Sequence, residues 1–299
     1  MIRIESIGEN NIAYITNPSI HVMEYYNYCL NLLKKKLSES NKPINIIFGN
    51  INHNFNNGNL TIKTDIQYEH TLVKDGGRGV SEKIFGNVKH DNGFYLVRID
   101  NYNYLSKLDF ILEYSIPNII NITESNHFND YSKKIINIAP LLYDIDFNKT
   151  NKVDTITLFT DTKNVRRNKL LNENNWINVD DCYTNNDLIA RYKTTKILVN
   201  VHQTDHHHTF EELRILPALS RGVVIVSEDV PLKEYIPYHE FIVWSSYNNL
   251  TKTVIEVQDN YEYYYNKLFK NGNLDLLLYK LSESNYNNLN IINTKLNDR

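Results

Sequence analysis

Residues 196–228 read KILVNVHQTDHHHTFEELRILPALSRGVVIVSE, and the way this run divides decides the fold. Residues 197–201 form a short, β-branched apolar run, the pattern of a strand covered on both faces. Residues 203–208 are a polar loop. Thr209 stands where a helix N-cap belongs, with Glu212 three residues on, the spacing of a capping box. Phe210, Leu213, Leu216 and Leu219 make a helical apolar stripe, and Gly222 supplies the C-terminal cap. Residues 223–226 are a second apolar strand that ends in Ser227-Glu228. Strand, helix and strand of this length predict a right-handed crossover in a parallel sheet. Ligands of such sheets bind beyond the carboxyl ends of the strands. That singles out Asn200, His202, Glu211, Glu212, Arg214, Ser227 and Glu228.

Working outward, the chain of 299 residues has room for two domains of ordinary size. A net charge of -3 argues against a dedicated nucleic-acid binder, which shows a basic excess. Two cysteines, Cys29 and Cys182, lie far apart and make no disulfide framework, which suits a reducing compartment. The first ten residues lack the apolar core of a signal peptide, and no apolar run approaches ~18 residues, so neither export nor a membrane span is expected. The expected location is the cytoplasm, or the host cytoplasm if the chain is viral.

Upstream, residues 2–7 and 12–15 read as two strands joined as a hairpin. Asn17-Pro18 opens a helix to about residue 37, and residues 44–48 are a buried strand. Residues 60–68 alternate as a strand and are followed by Glu69-His70 and by Lys74-Asp75-Gly76-Gly77-Arg78-Gly79. A glycine-rich turn with an embedded arginine, just past a strand, suits an anion seat; a tight turn needing positive φ fits the same residues. Strands are expected at 94–99, 110–114 and 135–138, with helices between, and residues 144–154 read as a linker. Residues 153–159 then open a second half. Asn164 closes a loop that caps a helix carrying Arg166-Arg167 in its first turn, where cations oppose the helix dipole unless an anion sits there. Further strands fit 176–179 and 241–244, and helices fit 185–192, 250–269 and 274–296. The tyrosines at 261 and 263–265 read as a packing surface. The pattern predicts two βα-alternating halves, residues 1–147 and 148–299, as two Rossmann-like α/β domains facing across a cleft, with C-terminal helices reaching back to the first.

These residues resemble a known family. Arg166-Arg167, Asp187, the run from Lys196 through Asn200 to His202, Glu212-Leu213-Arg214-Ile215, Leu219, Gly222 and Ser227-Glu228 are similar, in order and spacing, to the donor domain of GT-B nucleotide-sugar glycosyltransferases. The likeness is to compact forms encoded by large DNA viruses and some bacteria. Residues 67–78 give a second family-like segment. The resemblance implies GT-B architecture and transfer of a sugar from a nucleotide-diphosphate donor to a glycan, protein or small-molecule hydroxyl. It implies donor contacts at Gly76, Gly77, Arg78, Arg166, Arg167, Asn200, His202, Glu212, Arg214, Ser227 and Glu228. His70, or Glu69 beside it, is the expected general base. One departure stands out: the family's two glutamates, with seven residues between them, are replaced by Thr209 and Pro217 when counted back from Gly222. Pro217 also predicts a kink.

Other readings stay open. Asp205-His206-His207-His208 offers metal-ligand types, but adjacent histidines rarely converge on one ion. Asp144-Ile145-Asp146 is an acidic pair in the linker without matching context, so transfer is expected to need no metal and no cofactor beyond the donor substrate. A nucleotide-sugar epimerase of the same architecture and a catalytically degenerate nucleotide- or sugar-binding module are the alternatives. A dinucleotide-dependent oxidoreductase is disfavoured by the absence of G-x-G-x-x-G after an early strand.

Overall fold

A computed structural model describes residues 2–7, 10–15, 19–39, 43–69, 71–77, 85–90, 93–159, 164–180 and 185–297. The first half runs β1 (Ile2–Ile7), β2 (Asn10–Ile15), α1 (Met23–Ser38), β3 (Ile44–Phe48), β4 (Leu60–Gln67), β5 (Leu72–Val73), β6 (Phe85–His90), β7 (Gly93–Arg98), α2 (Tyr102–Leu105), β8 (Phe110–Glu113), α3 (Ile116–Glu124), α4 (Asn129–Ser132) and β9 (Ile135–Asn137). Its main sheet has the order β1-β2-β3-β4-β8-β9. β1 and β2 pair antiparallel, and every later pairing is parallel. The reason is local: Ile44-Asn45-Ile46-Ile47-Phe48 is buried at every position, so β3 has no solvent face to alternate toward. α1 covers this sheet with Tyr25, Tyr26, Cys29, Leu30, Leu33 and Leu37, three to four residues apart on one face. Ser115 caps α3, its hydroxyl accepting from Asn118 N–H at 3.4 Å.

The second half runs β10 (Asp154–Thr157), α5 (Val165–Glu173), β11 (Ile177–Asn178), α6 (Asn185–Thr194), β12 (Thr195–Asn200), α7 (Glu212–Ser220), β13 (Val224–Glu228), β14 (Ile242–Ser245), α8 (Leu250–Asp259), α9 (Tyr261–Tyr265), α10 (Leu274–Asn288) and α11 (Asn290–Asn297). Its sheet is parallel throughout, in the order β11-β10-β12-β13-β14. The order reverses between β10 and β12, which is where a crevice opens beyond the carboxyl ends of an open α/β sheet. The strand–helix–strand unit expected over 196–228 is β12-α7-β13. Gly222 ends α7 at φ +66°, with Gly222 N–H on Leu219 O at 3.0 Å and Val223 N–H on Ala218 O at 3.2 Å, a Schellman pair. Asn164 caps α5, accepting from Arg166 N–H at 3.0 Å.

One hydrophobic core fills the second half, and two fill the first, one under α1 and one between the β5-β7-β6 sheet and α3 and α4. The core of the second half begins before the expected boundary, since Ala139 and Tyr143 belong to it. Conversely, Leu289 and Ile292 of the C-terminal segment pack into the core under α1. Asn285 fixes that return by a reciprocal pair: its amide donates to Ala139 O at 2.8 Å and its carbonyl accepts from Ala139 N–H at 2.8 Å. Among the described residues no helix is long and apolar enough to cross a membrane.

Three local expectations are corrected. The capping box at Thr209 and Glu212 does not form: α7 starts at Glu212, and the Thr209 hydroxyl instead accepts the N–H groups of Thr71 and Leu72, at 3.0 and 2.9 Å. The single helix over 250–269 is divided into α8, α9 and a π-helical turn at Asn266–Lys270; at the end of α8 both the Asn260 backbone N–H and its side-chain amide donate to Glu256 O, at 3.0 and 2.9 Å. Finally, β5, β7 and β6 form a separate three-stranded antiparallel sheet, of which only the 94–99 strand is expected from sequence.

Candidate functional site

A cavity of about 280 Å³ lies where the two sheets end. Tyr68 and Glu69 follow β4 and Tyr114 follows β8. From the other sheet, Leu158 follows β10 and Val179 follows β11. Glu211, Leu213 and Arg214 bring the start of α7 into the same wall. The carboxyl ends of parallel strands from both sheets therefore share one cavity, a little below the usual size of a small-molecule site. Glu24 and Glu69 are its first-half carboxylates, and Glu69 is the one at a strand end. Burial raises the pKa of Glu69, the nearby Asp100 adds to the rise, and Arg98 only partly offsets it. Tyr143, on the opposite core, lines the cavity, and its buried hydroxyl has no partner among the described residues.

Arg214 and Arg167 are joined through Glu211. Glu211 Oε2 accepts from Arg214 Nη1 at 2.5 Å and Oε1 accepts from Arg167 Nη2 at 3.2 Å. Arg167 is 1% exposed; it also donates to Val201 O at 2.9 Å and lies 4.7 Å over the Phe159 ring. It braces β12 against α5 from inside. Arg214 keeps part of its surface at the cavity, which leaves it as the cation there with room to meet an anion.

Arg166 and Glu228 occupy the switch-point end of the second sheet. Arg166 grips Glu228 bidentately, Nη1 to Oε2 at 2.6 Å and Nη2 to Oε1 at 2.5 Å, and its Nε reaches Asp205 at 2.6 Å. The Tyr247 ring stacks 3.8 Å beneath the guanidinium. Burial alone would raise the Glu228 carboxyl, but the Arg166 hydrogen bonds, the neighbouring His202 and the His202 N–H at 3.1 Å hold it below its ordinary value. Two residues assigned by resemblance to the same donor thus pair with each other. The guanidinium is already neutralised, so its first task here is to fix Glu228 at the strand end.

Asn200 and Ser227 also pair together, Nδ2 to Oγ at 3.0 Å, buried side by side on adjacent parallel strands. His202 Nε2 lies 3.2 Å from Asp229 O. Glu212 is 2% exposed and is not among the residues that line the cavity. Tyr238 donates to its Oε2 at 2.5 Å. Burial pushes Glu212 up to about 7, against the hydrogen bonds from Tyr238 and Ser115. Close to it across the halves, fully buried Glu113 is pushed up to about 8 by burial, even though Ser115 N–H and Asn118 Nδ2 donate to its Oε1 at 3.0 and 3.1 Å. Each of these two carboxyl groups keeps one oxygen without a partner.

Gly76 and Gly77 have a packing role. A Cβ on Gly76 would collide with the His206 ring, and one on Gly77 would come within 3.1 Å of His206 Cβ. The reason is an antiparallel bridge between Val73 and His207, with Lys74 N–H on His206 O at 2.8 Å and His208 N–H on Leu72 O at 3.0 Å. The histidine run diverges: His207 Nδ1 is 2.8 Å from Thr204 Oγ1, while His208 packs between Tyr95 and His202. Burial, with help from His202 and Lys74, lowers His208 to about 4, which keeps it neutral. Among the described residues no group of three or more His, Cys, Asp or Glu is arranged to hold a metal ion. His70 and Arg78 lie outside the described residues. Sequence reading does not single out Tyr143 or Tyr247 as site residues, and it weighs Asp205 only as a metal-ligand type; Tyr143 lies between the expected strand at 135–138 and the linker, with no local pattern to mark it.

No family model matches the chain. A relative among curated proteins is an uncharacterized protein of Acanthamoeba polyphaga mimivirus, 29% identical over 201 residues, covering 61% of this chain and 68% of that protein. The similarity gives the chain a viral relative and assigns it no activity.

Proposed function

We propose that the chain is a GT-B type glycosyltransferase that moves a sugar from a nucleotide-diphosphate donor to a hydroxyl acceptor. One observation carries the reading: the carboxyl ends of parallel strands from both sheets open on one cavity, with Glu69 from one half and Arg214 from the other. In this reading the donor lies on the second half. Glu228 accepts the ribose hydroxyls, oriented by Arg166. Arg214 and the first N–H groups of α7 meet the diphosphate as charge develops on it. The acceptor O–H gives its proton to Glu69, the acceptor oxygen bonds to the sugar C1, and the C1–O bond to the diphosphate breaks with its electron pair leaving on the diphosphate. Burial and Asp100 raise the affinity of Glu69 for that proton. Since Arg214 and the helix N-terminus supply the positive charge, transfer should persist in EDTA.

The test is product analysis with a panel of nucleotide sugars. Transfer releases a nucleoside diphosphate only when an acceptor is present, and both Glu69→Gln and Arg214→Ala should lower that release by at least about 100-fold. Wild-type release in either variant would remove the assigned roles. A second reading, nucleotide-sugar epimerisation, is favoured by the carboxylates Glu24, Glu69 and Glu211 around the same cavity. It would leave the nucleotide sugar intact and isomerised, with no acceptor required.

A further inference from the structure

The first sheet ends in a second cavity, of about 190 Å³, bounded by the residues after β3, the end of β4 and the turn at 100–105. Three carboxylates line it: Asp65, Glu69 and Asp100. Among the described residues none of them forms an ion pair. Asp65 Oδ1 accepts from Ile66 N–H at 2.8 Å and Oδ2 from the Tyr104 hydroxyl at 3.0 Å. Even so, burial pushes this carboxyl up to about 6, the behaviour of an acid that lacks a counter-ion. Glu69 is raised by burial and by Asp100, and the nearby Arg98 offsets only part of the rise.

Gln67 is an independent mark of a ligand. It lines the same cavity, is 2% exposed, and its amide nitrogen has no acceptor among the described residues. A buried donor left unmet costs about 1–3 kcal/mol, and an oxygen on a bound molecule would meet it.

The chemistry narrows the ligand. A phosphate or carboxylate would set like charge against three carboxylates. A metal ion needs several oxygens to converge on one point, and among the described residues no such group exists. An organic ammonium asks less of the geometry, because its three N–H groups spread over separate acceptors. The rings of Tyr68 and Tyr104, which also line the cavity, suit the same charge.

We propose that this cavity binds a small hydroxylated organic cation, an amino sugar or similar amino-polyol, with its ammonium among Asp65, Glu69 and Asp100 and a hydroxyl oxygen on the Gln67 amide. The assignment does not rest on glycosyl transfer. Under that reading it adds a substrate class, since Tyr68 and Glu69 are shared by both cavities and bring the bound amine beside the donor.

Isothermal titration of the full chain with glucosamine, glucose and glucuronate at about pH 7, without any nucleotide, tests it. Glucosamine should bind at least about tenfold more tightly than glucose, and glucuronate should not bind. Asp100→Asn, on a half-buried turn, should weaken glucosamine about tenfold while the melting temperature and the weak glucose affinity stay unchanged; Gln67→Leu should weaken both sugars. Equal affinity for the three sugars, no heat with glucosamine at tens of millimolar, or unchanged glucosamine binding in both Asp100→Asn and Asp65→Asn would overturn the proposal. Since no nucleotide is present, these outcomes are separate from the success or failure of the transferase assay.

Discussion

Two buried carboxylate sites in this molecule face opposite electrostatic problems. At the end of β13, Glu228 is locked by a bidentate Arg166 and held ionised. At the junction of the halves, Glu113 and Glu212 are buried without a cation, pushed up to about 8 and about 7, and each keeps an unmet oxygen. The first is an ion pair whose partners depend on each other. The second is a pair of proton-holding acids. Burial is common to both; what separates them is whether an arginine lies within reach.

The largest effect should come from breaking the ion pair. Both side chains are 11% exposed, so Arg166→Ala leaves a buried, unpaired Glu228 and should cost about 3–5 kcal/mol in urea unfolding. Adding Glu228→Gln should return a good part of that loss, because the two changes are not additive. A loss under about 1 kcal/mol in the single variant would show that the pair is solvated and the contrast empty.

The next effect is in pH, and the two sites carry opposite signs. Glu113 and Glu212 have folded pKa values raised above their ordinary 4.5, so the stability they contribute is full below about 4.5 and is lost as pH rises through about 7 and about 8. Glu228 is lowered, so its contribution is present above about 4.5 and lost as pH falls below that. These two acids alone should therefore lower stability between about pH 5 and 8, by several kcal/mol, while His208, lowered to about 4, acts in the opposite direction below about 6.5. Glu212→Gln and Glu113→Gln should flatten that fall. Unchanged slopes in both variants would refute proton holding at the junction.

Smaller effects test the strap between the halves. Thr209→Val removes the acceptor for two buried N–H groups, of Thr71 and Leu72, and should cost about 1–3 kcal/mol. Gly76→Ala should cost only about 1 kcal/mol, since the His206 ring it displaces is exposed and free to turn outward.

Most of the second sheet is legible in sequence because its signals are local. The unbroken apolar runs of β12 and β13, Gly222 past α7 and Asn164 before α5 each act within a few residues. What sequence does not carry is who meets whom across the fold. Arg166 and Glu228 both stand out as strand-end charges, yet their pairing spans 62 positions. Thr209 has the spacing of a capping residue, but its hydroxyl serves backbone 137 and 138 positions away. The glycines at 76 and 77 fit an anion seat by pattern, and only the fold brings His206 against them. β5 spans two residues, too few for any periodicity. Asp65 sits in an alternating strand like any exposed acid, and the turn at 100–105 that buries it lies far along the chain.

The measurement that bears most directly on the transferase account is thermal stabilisation of the full chain against UDP, GDP, dTDP, CMP and their sugars, with NAD as control. The account predicts that one nucleoside diphosphate, at about 100 times its dissociation constant, stabilises the chain by roughly 2.7 kcal/mol, and that Arg214→Ala abolishes the shift. No shift with any of them at millimolar concentration would contradict it and leave a fold that keeps the architecture without the donor.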